Sequence, residues 1–189
     1  MTKEQLNYGD KYLEINSPLM EVKEKIINEG RRIEEDSLYS SKGHFYAAQF
    51  WTDLHLWIGI PATIMAAVAG ASALSGHGIF AGVLALIVAA LGAVATFVNP
   101  NEKAAIHSRA GNKYSALKNN TRIFCEIEIE LETNTEDALL QKLKDLAKQR
   151  DLLNDESPQI PNWAFKKARR GIEEGEAHYQ IDREDSSTE

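Results

Sequence analysis

Cysteine and histidine are the side chains here that most readily support catalysis, and the sequence holds one cysteine and five histidines. Cys125 and His107 would form a nucleophile and its general base if they met. They lie eighteen positions apart on a predicted helix, which is five turns or roughly 27 Å, so they cannot meet within one chain. The histidines show no metal-ligand spacing, and there is no glycine-rich phosphate loop. We therefore predict that the protein is not an enzyme and uses no metal or cofactor.

Two clusters of basic residues stand out against the net charge of −7. The first, opposed only by Glu102, consists of Lys103, Arg109, Lys113, Lys118 and Arg122. Phosphates of lipid headgroups would account for it. The second consists of Lys166, Lys167, Arg169 and Arg170. A nucleotide ligand would account for the second cluster, and so would salt bridges to an acidic run on a neighbouring helix, which is the simpler explanation. That run consists of Glu126, Glu128, Glu130 and Glu132.

A long stretch without charge separates the two halves of the chain. From Leu54 to Asn101 there is no Asp, Glu, Lys or Arg, although these residues make up 26% of the sequence. The stretch contains a first apolar segment, Leu54–Leu74, and a second apolar segment, Ile79–Val98. As a helix each would be about 30 Å long, which matches the hydrocarbon core of a bilayer. Neither has the polar face of a soluble surface helix, so we predict a transmembrane hairpin.

The distribution of basic residues predicts how this hairpin is oriented. The turn Ser75–Gly78 has no Lys or Arg, whereas the outer ends of both apolar segments are flanked by them. By the positive-inside rule both termini are then cytoplasmic. The first apolar segment begins some fifty residues into the chain, so it does not resemble a cleaved signal peptide. We predict a multi-pass protein of the cell inner membrane.

The remaining sequence predicts helices throughout. Ser17 and Pro18 mark a helix start, with the helix expected to end near Gly30 or Ser40. An interfacial aromatic belt then leads into the first apolar segment and consists of Phe45, Tyr46, Phe50 and Trp51. The predicted class is an all-α membrane protein with a cytoplasmic helical bundle. Its regions are an N-terminal cytoplasmic helical region (1–53), the hairpin (54–98), C-terminal cytoplasmic helices (99–181) and a disordered tail (182–189).

Three helices are predicted after Pro100. The first carries apolar residues at gaps of three and four, namely Ile106, Ala110, Tyr114, Leu117, Thr121, Phe124, Ile127 and Leu131. Its end, CEIEIELE, alternates like a strand, but no second strand is available for pairing, so helix is preferred. The residues NTED from Asn134 cap the next helix, whose stripe is Leu139, Leu143, Leu146 and Leu153. A break at Ser157–Pro161 precedes a last amphipathic helix, WAFKKARRGIEEGEAHYQ.

Small residues recur at helical spacing in both apolar segments. They are Gly59, Ala62, Ala66 and Gly70 in the first, and Ala85, Ala89, Gly92 and Thr96 in the second. Such stripes let membrane helices approach closely, either between copies of the chain or within one hairpin, and the sequence leaves both interpretations open. A conduction path between copies would be lined by Thr63, Ser72 and Thr96 together with small apolar side chains.

The pattern as a whole resembles the SLATT family of two-transmembrane bacterial effectors. The resemblance covers roughly residues 18–179 and rests on FWTDLHLWIGIP, FVNPNEKAAIHSRAGNKYSALKNNTRIF and WAFKKARRGIEEGE. It implies a homo-oligomeric membrane pore that acts in anti-phage defence and answers a nucleotide or oligonucleotide signal from a partner nucleotidyltransferase. The ligand residues would then be Lys166, Lys167, Arg169, Arg170, Arg109 and Lys113. The alternative is a non-conducting, membrane-anchored helical scaffold that recruits a cytoplasmic partner.

Overall fold

The computed structural model describes residues 3–131, 135–177 and 179, with side chains from Met20 onward, and over these residues the chain is all-helical. The five α-helices are α1 (Lys3–Leu74), α2 (Gly78–Val98), α3 (Pro100–Glu126), α4 (Glu136–Glu156) and α5 (Asn162–Glu173). A short 3-10 turn, Glu128–Glu130, follows α3. The chain divides into two compact units. The first joins α1 up to Ser41 with Gly111–Ser157, and the second joins Lys42–Ala110 with the chain from Pro158 onward.

The predicted bounds of the N-terminal helix are wrong, because α1 runs unbroken from Lys3 into the first apolar segment. It neither starts at Ser17 nor ends near Gly30 or Ser40. Gly30 supports a close approach instead of a helix end, since a Cβ there would collide with the Cys125 sulfur. Serine within this helix can bond to its own backbone, and the Ser37 hydroxyl donates to the Ile33 carbonyl at 2.7 Å.

The hairpin turn is where the sequence places it. Gly76 adopts a positive φ of 82°, which glycine reaches without steric cost, and the chain re-enters a helix at Gly78. α2 ends at Val98, and the residue that caps it, Asn99, has a left-handed φ of 45° and donates its N–H to the Ala95 carbonyl at 3.0 Å. Pro100 then opens α3, a position at which its missing N–H removes no helical bond.

The first unit has a conventional apolar core. Phe124, Ile33 and Ile129 are 0% exposed, and the four predicted α4 leucines are all buried, which confirms that stripe. Thr135 caps α4 by accepting a hydrogen bond from the Ala138 N–H at 3.3 Å, as the NTED motif predicts; Asn134 lies outside the described residues.

The predicted stripe of α3 is correct in its middle and wrong at both ends, and at its start Ile106 is 40% exposed. Tyr114, Leu117, Thr121 and Phe124 are buried, whereas Ile127 and Leu131 are 56% and 49% exposed. The helix ends at Glu126, and the 3-10 turn that follows changes the rotation per residue, so that Ile129 becomes the buried side chain. Over residues 125–131 the stretch CEIEIELE is therefore part helix and part 3-10 turn, and Glu132 lies outside the described residues. The break at 157–161 is confirmed, α5 is shorter than predicted, and the tail lies outside the described residues.

The second unit contains both apolar segments. Each lies in a helix long and apolar enough to cross a membrane. Only 6% of the most apolar 18-residue stretch of either helix is buried. Two such helices are compatible with membrane insertion. A core helix of a soluble protein would be mostly buried, so the exposure argues against that alternative.

Candidate functional site

Cys125 and His107 lie where catalysis between them is impossible. Both are on the single helix α3, eighteen residues apart, so the predicted separation of five turns holds. Burial raises the pKa of the Cys125 thiol to about 11, and the sulfur contacts the Ile27 carbonyl at 3.9 Å. A buried thiol that stays protonated is a weak nucleophile, so this residue belongs to the packing of the first unit.

A buried histidine pair in the second unit is the feature that sequence reasoning missed. His44 on α1 and His107 on α3 face each other with their Nδ1 atoms 2.9 Å apart, and they are 1% and 6% exposed. Burial, followed by the charge of His107, lowers the pKa of His44 to about 4, and burial lowers the pKa of His107. One Nδ1 must then donate to the other, which fixes one neutral tautomer on each ring.

Their sequence neighbours carried a signal for this burial. Ala47, Ala48, Ala104 and Ala110 are buried on the same two helices, so each histidine lies within a run of small residues that lets the helices approach closely. The pair supplies two ligand atoms only. Among the described residues, no group of three or more His, Cys, Asp or Glu side chains could hold a metal ion.

Aromatic and basic side chains meet just before the first apolar segment. The Phe50 ring lies 5.1 Å from the Trp163 ring, and the Lys103 ammonium lies 4.4 Å from the centre of the Trp51 ring. Three of the four residues of the predicted aromatic belt, Tyr46 included, therefore make contacts with α3 or α5 that the sequence alone did not specify. We call the set Phe50, Trp51, Lys103 and Trp163 the aromatic–basic collar.

A second group of contacts fixes α5 on α1. The Lys167 ammonium lies 4.5 Å from the centre of the Tyr46 ring, and Glu176 accepts from Lys42 at 2.9 Å and from Tyr46 at 3.2 Å. The Lys42 partner, more than any other contact, holds the pKa of the Glu176 carboxyl below its ordinary value. Ala164, Ala168 and Gly171 form the buried face of α5. The helix therefore packs through small residues and leaves its larger side chains outside.

The predicted ligand residues of α5 fall into two groups. Lys167 is engaged by Tyr46, and Arg169 donates to Glu173 at 2.7 Å. Lys166 and Arg170 are exposed and, within the described part of the chain, have no hydrogen-bonding, ion-pair or ring partner. Of the two predicted ligand residues on α3, Arg109 in the second unit is likewise exposed, whereas Lys113 in the first unit pairs with Glu156 at 3.2 Å.

The acidic run takes basic partners from the first unit. Glu126 pairs with Arg31 at 3.2 Å and Glu128 with Lys142 at 3.5 Å, while Glu132 lies outside the described residues. Two of the four glutamates of the run thus take basic partners from the first unit and not from α5.

The apolar segments face each other across a partly open cleft. Its volume is about 650 Å³, and its walls include Ala66 and Gly70 of α1 and Ala85 and Ala89 of α2. Ala69 and Ala81 are the residues buried between the segments, at 8% and 7% exposure. Part of each small-residue stripe thus lies inside the hairpin, which supports self-packing for that part.

The glycines of the apolar segments nevertheless have unused space. A Cβ added at Gly59, Gly70 or Gly92 would meet no atom within 4 Å. Close approach within the hairpin therefore does not require these glycines. The predicted pore-lining hydroxyls of Thr63 and Thr96 are exposed and donate to the carbonyls of Gly59 and Gly92, at 2.8 and 2.9 Å. Ser72 is half-buried.

Comparison with known proteins adds no family assignment. No protein-family model matches the chain, and no match was found among curated proteins or among solved structures.

Proposed function

We propose that this protein is a membrane effector of an anti-phage defence system, in which hairpins from several copies form a gated pore. The observation that carries the proposal is the exposure of the apolar segments, since only 6% of each apolar window is covered by the chain itself. Lipid and neighbouring copies are the environments that such surfaces require. The connection with anti-phage defence rests on the resemblance to SLATT effectors.

The small residues support association between copies. Gly59 and Gly92 have open space where a Cβ would lie and are not among the residues that line the cleft of the hairpin. A helix from a second copy can approach the backbone closely at such positions. Thr63 and Thr96 lie four residues further on, and their hydroxyl protons are already bonded, so they suit a narrow path sealed by apolar side chains.

The gate is proposed to respond to a nucleotide or oligonucleotide signal from a partner nucleotidyltransferase. Recognition of phosphate requires cations that are not already neutralised. Arg109, Lys166 and Arg170 meet this condition within the described part of the chain. Lys113, Lys167 and Arg169 are partly occupied by their partners, so their role as ligand residues stays a prediction.

Orientation can be tested with the turn. A Ser75→Cys variant in a Cys125→Ser background should react with an impermeant thiol reagent applied outside intact spheroplasts, because both termini are proposed to be cytoplasmic. Cys125 is buried, so its removal eliminates only slow background labelling. Reaction that begins only after permeabilisation would contradict this orientation.

Pore formation can be tested with the purified full chain in liposomes. Release of an entrapped dye is measured with and without a panel of mono- and oligonucleotides, and it should occur only in liposomes that contain the protein. Gly92→Leu should abolish this release, because its added bulk blocks association between copies. Val94→Leu is the matched control, because it adds one methylene to an exposed side chain of the same segment.

A measurement in cells separates the pore from the scaffold alternative. If cells protected from infection show no depolarisation with a voltage-sensitive dye, the scaffold alternative replaces the pore.

A further inference from the structure

We propose that α5 is a membrane-surface helix, and that Trp163, Lys166 and Arg170 bind the anionic headgroups of the leaflet beside the hairpin. This inference rests on the proposed membrane insertion. It assigns to lipid phosphate two cations that the sequence predicts as nucleotide ligands, and it leaves Arg109 as the unpaired cation available for a soluble signal.

The position of α5 supports contact with the membrane surface. Trp163 packs on Phe50, which lies one helical turn, or about 6 Å, before the first apolar segment. Lys103 follows the last residue of the second apolar segment by five residues, and its ammonium lies over the Trp51 ring. The aromatic–basic collar thus lies where the first apolar segment begins and the second ends. The first turn of α5, which carries Trp163, lies beside the same end of the hairpin.

The packing of α5 leaves its side with Trp163, Lys166 and Arg170 exposed. Trp163, Lys166 and Arg170 follow at gaps of three and four, so they share one side of the helix. Ala164, Ala168 and Gly171, on the opposite side, are buried against the rest of the second unit. Trp163 remains 44% exposed although it contacts Phe50. The face is therefore fixed outward by packing of the opposite side.

The chemistry of this face matches an anionic bilayer surface. Tryptophan favours the membrane–water interface, and unpaired Lys and Arg side chains next to it attract acidic headgroups. Lys167 is engaged by Tyr46, and Arg169, which follows Lys166 by three residues, is engaged by Glu173. Sites for small molecules are concave, whereas this face is the convex outside of a helix, so an extended lipid surface is the fitting partner.

The test uses the full chain in nanodiscs with Trp163 as the single tryptophan, in a Trp51→Phe/Trp57→Phe background. Brominated phosphatidylcholine should quench Trp163 fluorescence, and more strongly when phosphatidylglycerol is present. Lys166→Gln/Arg170→Gln should raise the phosphatidylglycerol fraction needed for half-maximal quenching about five-fold or more. Lys144→Gln/Lys148→Gln is the matched control, since it removes two exposed charges from α4, and it should leave the titration unchanged.

A second single-tryptophan variant separates this inference from the membrane proposal. Trp57 lies in the first apolar segment and is 77% exposed, so it should be quenched in a Trp51→Phe/Trp163→Phe background whenever the hairpin inserts. Quenching of Trp57 without quenching of Trp163 overturns the surface role alone, whereas no quenching of Trp57 overturns insertion itself. Equal phosphatidylglycerol titrations for Lys166→Gln/Arg170→Gln and the control also overturn the role. Calorimetric binding of ATP that is lost only in Lys166→Gln/Arg170→Gln would assign the two cations to a soluble phosphate instead.

Discussion

Phe124 and Phe97 are the same residue in the same type of helix, yet the first is 0% and the second 90% exposed. The first belongs to the core of the unit built from α1, α3 and α4, where side chains from three helices cover one another. The second belongs to an apolar segment that the chain leaves largely uncovered. Apolar surface is stabilising only when removed from water, so the two regions are built for different solvents.

The glycines repeat this contrast at the level of the backbone. At Gly30 a Cβ would collide with the Cys125 sulfur, and at Gly43 it would lie 3.0 Å from Ile160. At Gly59, Gly70 and Gly92 the same Cβ would meet nothing within 4 Å. Glycine at positions 30 and 43 is thus explained by contacts within the chain, whereas glycine at positions 59, 70 and 92 is not.

The largest expected effect comes from the two phenylalanines. Phe124→Ala should lower the free energy of unfolding by about 3–5 kcal/mol, because it leaves a cavity in a packed core. Phe97→Ala should change it by less than about 1 kcal/mol, since an exposed side chain leaves no cavity. Guanidinium unfolding in detergent, followed by circular dichroism, compares the two. A similar loss for Phe97→Ala would mean that a second copy buries Phe97, and the two phenylalanines would then not differ in burial.

The histidine pair extends the comparison to pH. His44 has a folded pKa of about 4, below its unfolded value near 6.5, so between these values the unfolded chain binds the additional proton. Stability is therefore highest well above pH 6.5 and falls on acidification towards pH 4, so its slope against pH is positive in this range. Thermal unfolding at several pH values measures this slope. His44→Gln should flatten the slope, whereas His55→Gln, at an exposed position, should leave it unchanged.

The glycine contrast predicts effects of opposite sign. Gly30→Ala should destabilise by about 1–3 kcal/mol, since the sulfur of Cys125 must move. Cys125→Ala should restore much of that loss when combined with it. Gly70→Ala should be neutral or stabilising by up to about 1 kcal/mol, because alanine favours the helix and has space. Unfolding midpoints of the three variants test this, and a Gly70→Ala loss as large as that of Gly30→Ala would contradict the open cleft.

The smallest effect concerns a hydrogen bond between helices of the first unit. Tyr114 donates to Asn154 at 2.7 Å and is 3% exposed, so Tyr114→Phe should cost about 1 kcal/mol. Tyr46→Phe removes a longer, exposed bond to Glu176 and should leave the unfolding midpoint unchanged. If both variants behave alike in urea unfolding, burial does not distinguish the two hydroxyls.

Periodicity in the sequence was sufficient for the parts of the fold that depend on one helix at a time. The leucine stripe of α4, the cap at Thr135 and the hairpin turn at Gly76 each follow from residues within a few positions. The unbroken α1 could not be predicted in that way. Gly30 resembles a helix end until Cys125, 95 positions later, is known to pack against it.

The candidate site was predicted in its composition but not in its pairing. The sequence singled out the cations of α5, but Tyr46 and Glu173 engage Lys167 and Arg169. Lys166 and Arg170 have no such partner among the residues that the structure describes. The pairing of His44 with His107 likewise needs two helices in contact. Local pattern gives the side chains that a helix presents, whereas tertiary packing determines which of them remain available.

Asn99 gives the two passages into the hairpin unequal mechanical properties. α1 enters its apolar segment as one continuous helix, so no break in the helix lies between Asp53 and Leu54. Between α2 and α3 the left-handed Asn99 interrupts the helical hydrogen bonding, and Pro100 starts a new helix. A continuous helix transmits torque, and a single-residue joint lets the next helix turn about it. The entry into the hairpin through α1 is therefore torsionally stiff, whereas the exit through Asn99 contains a backbone joint.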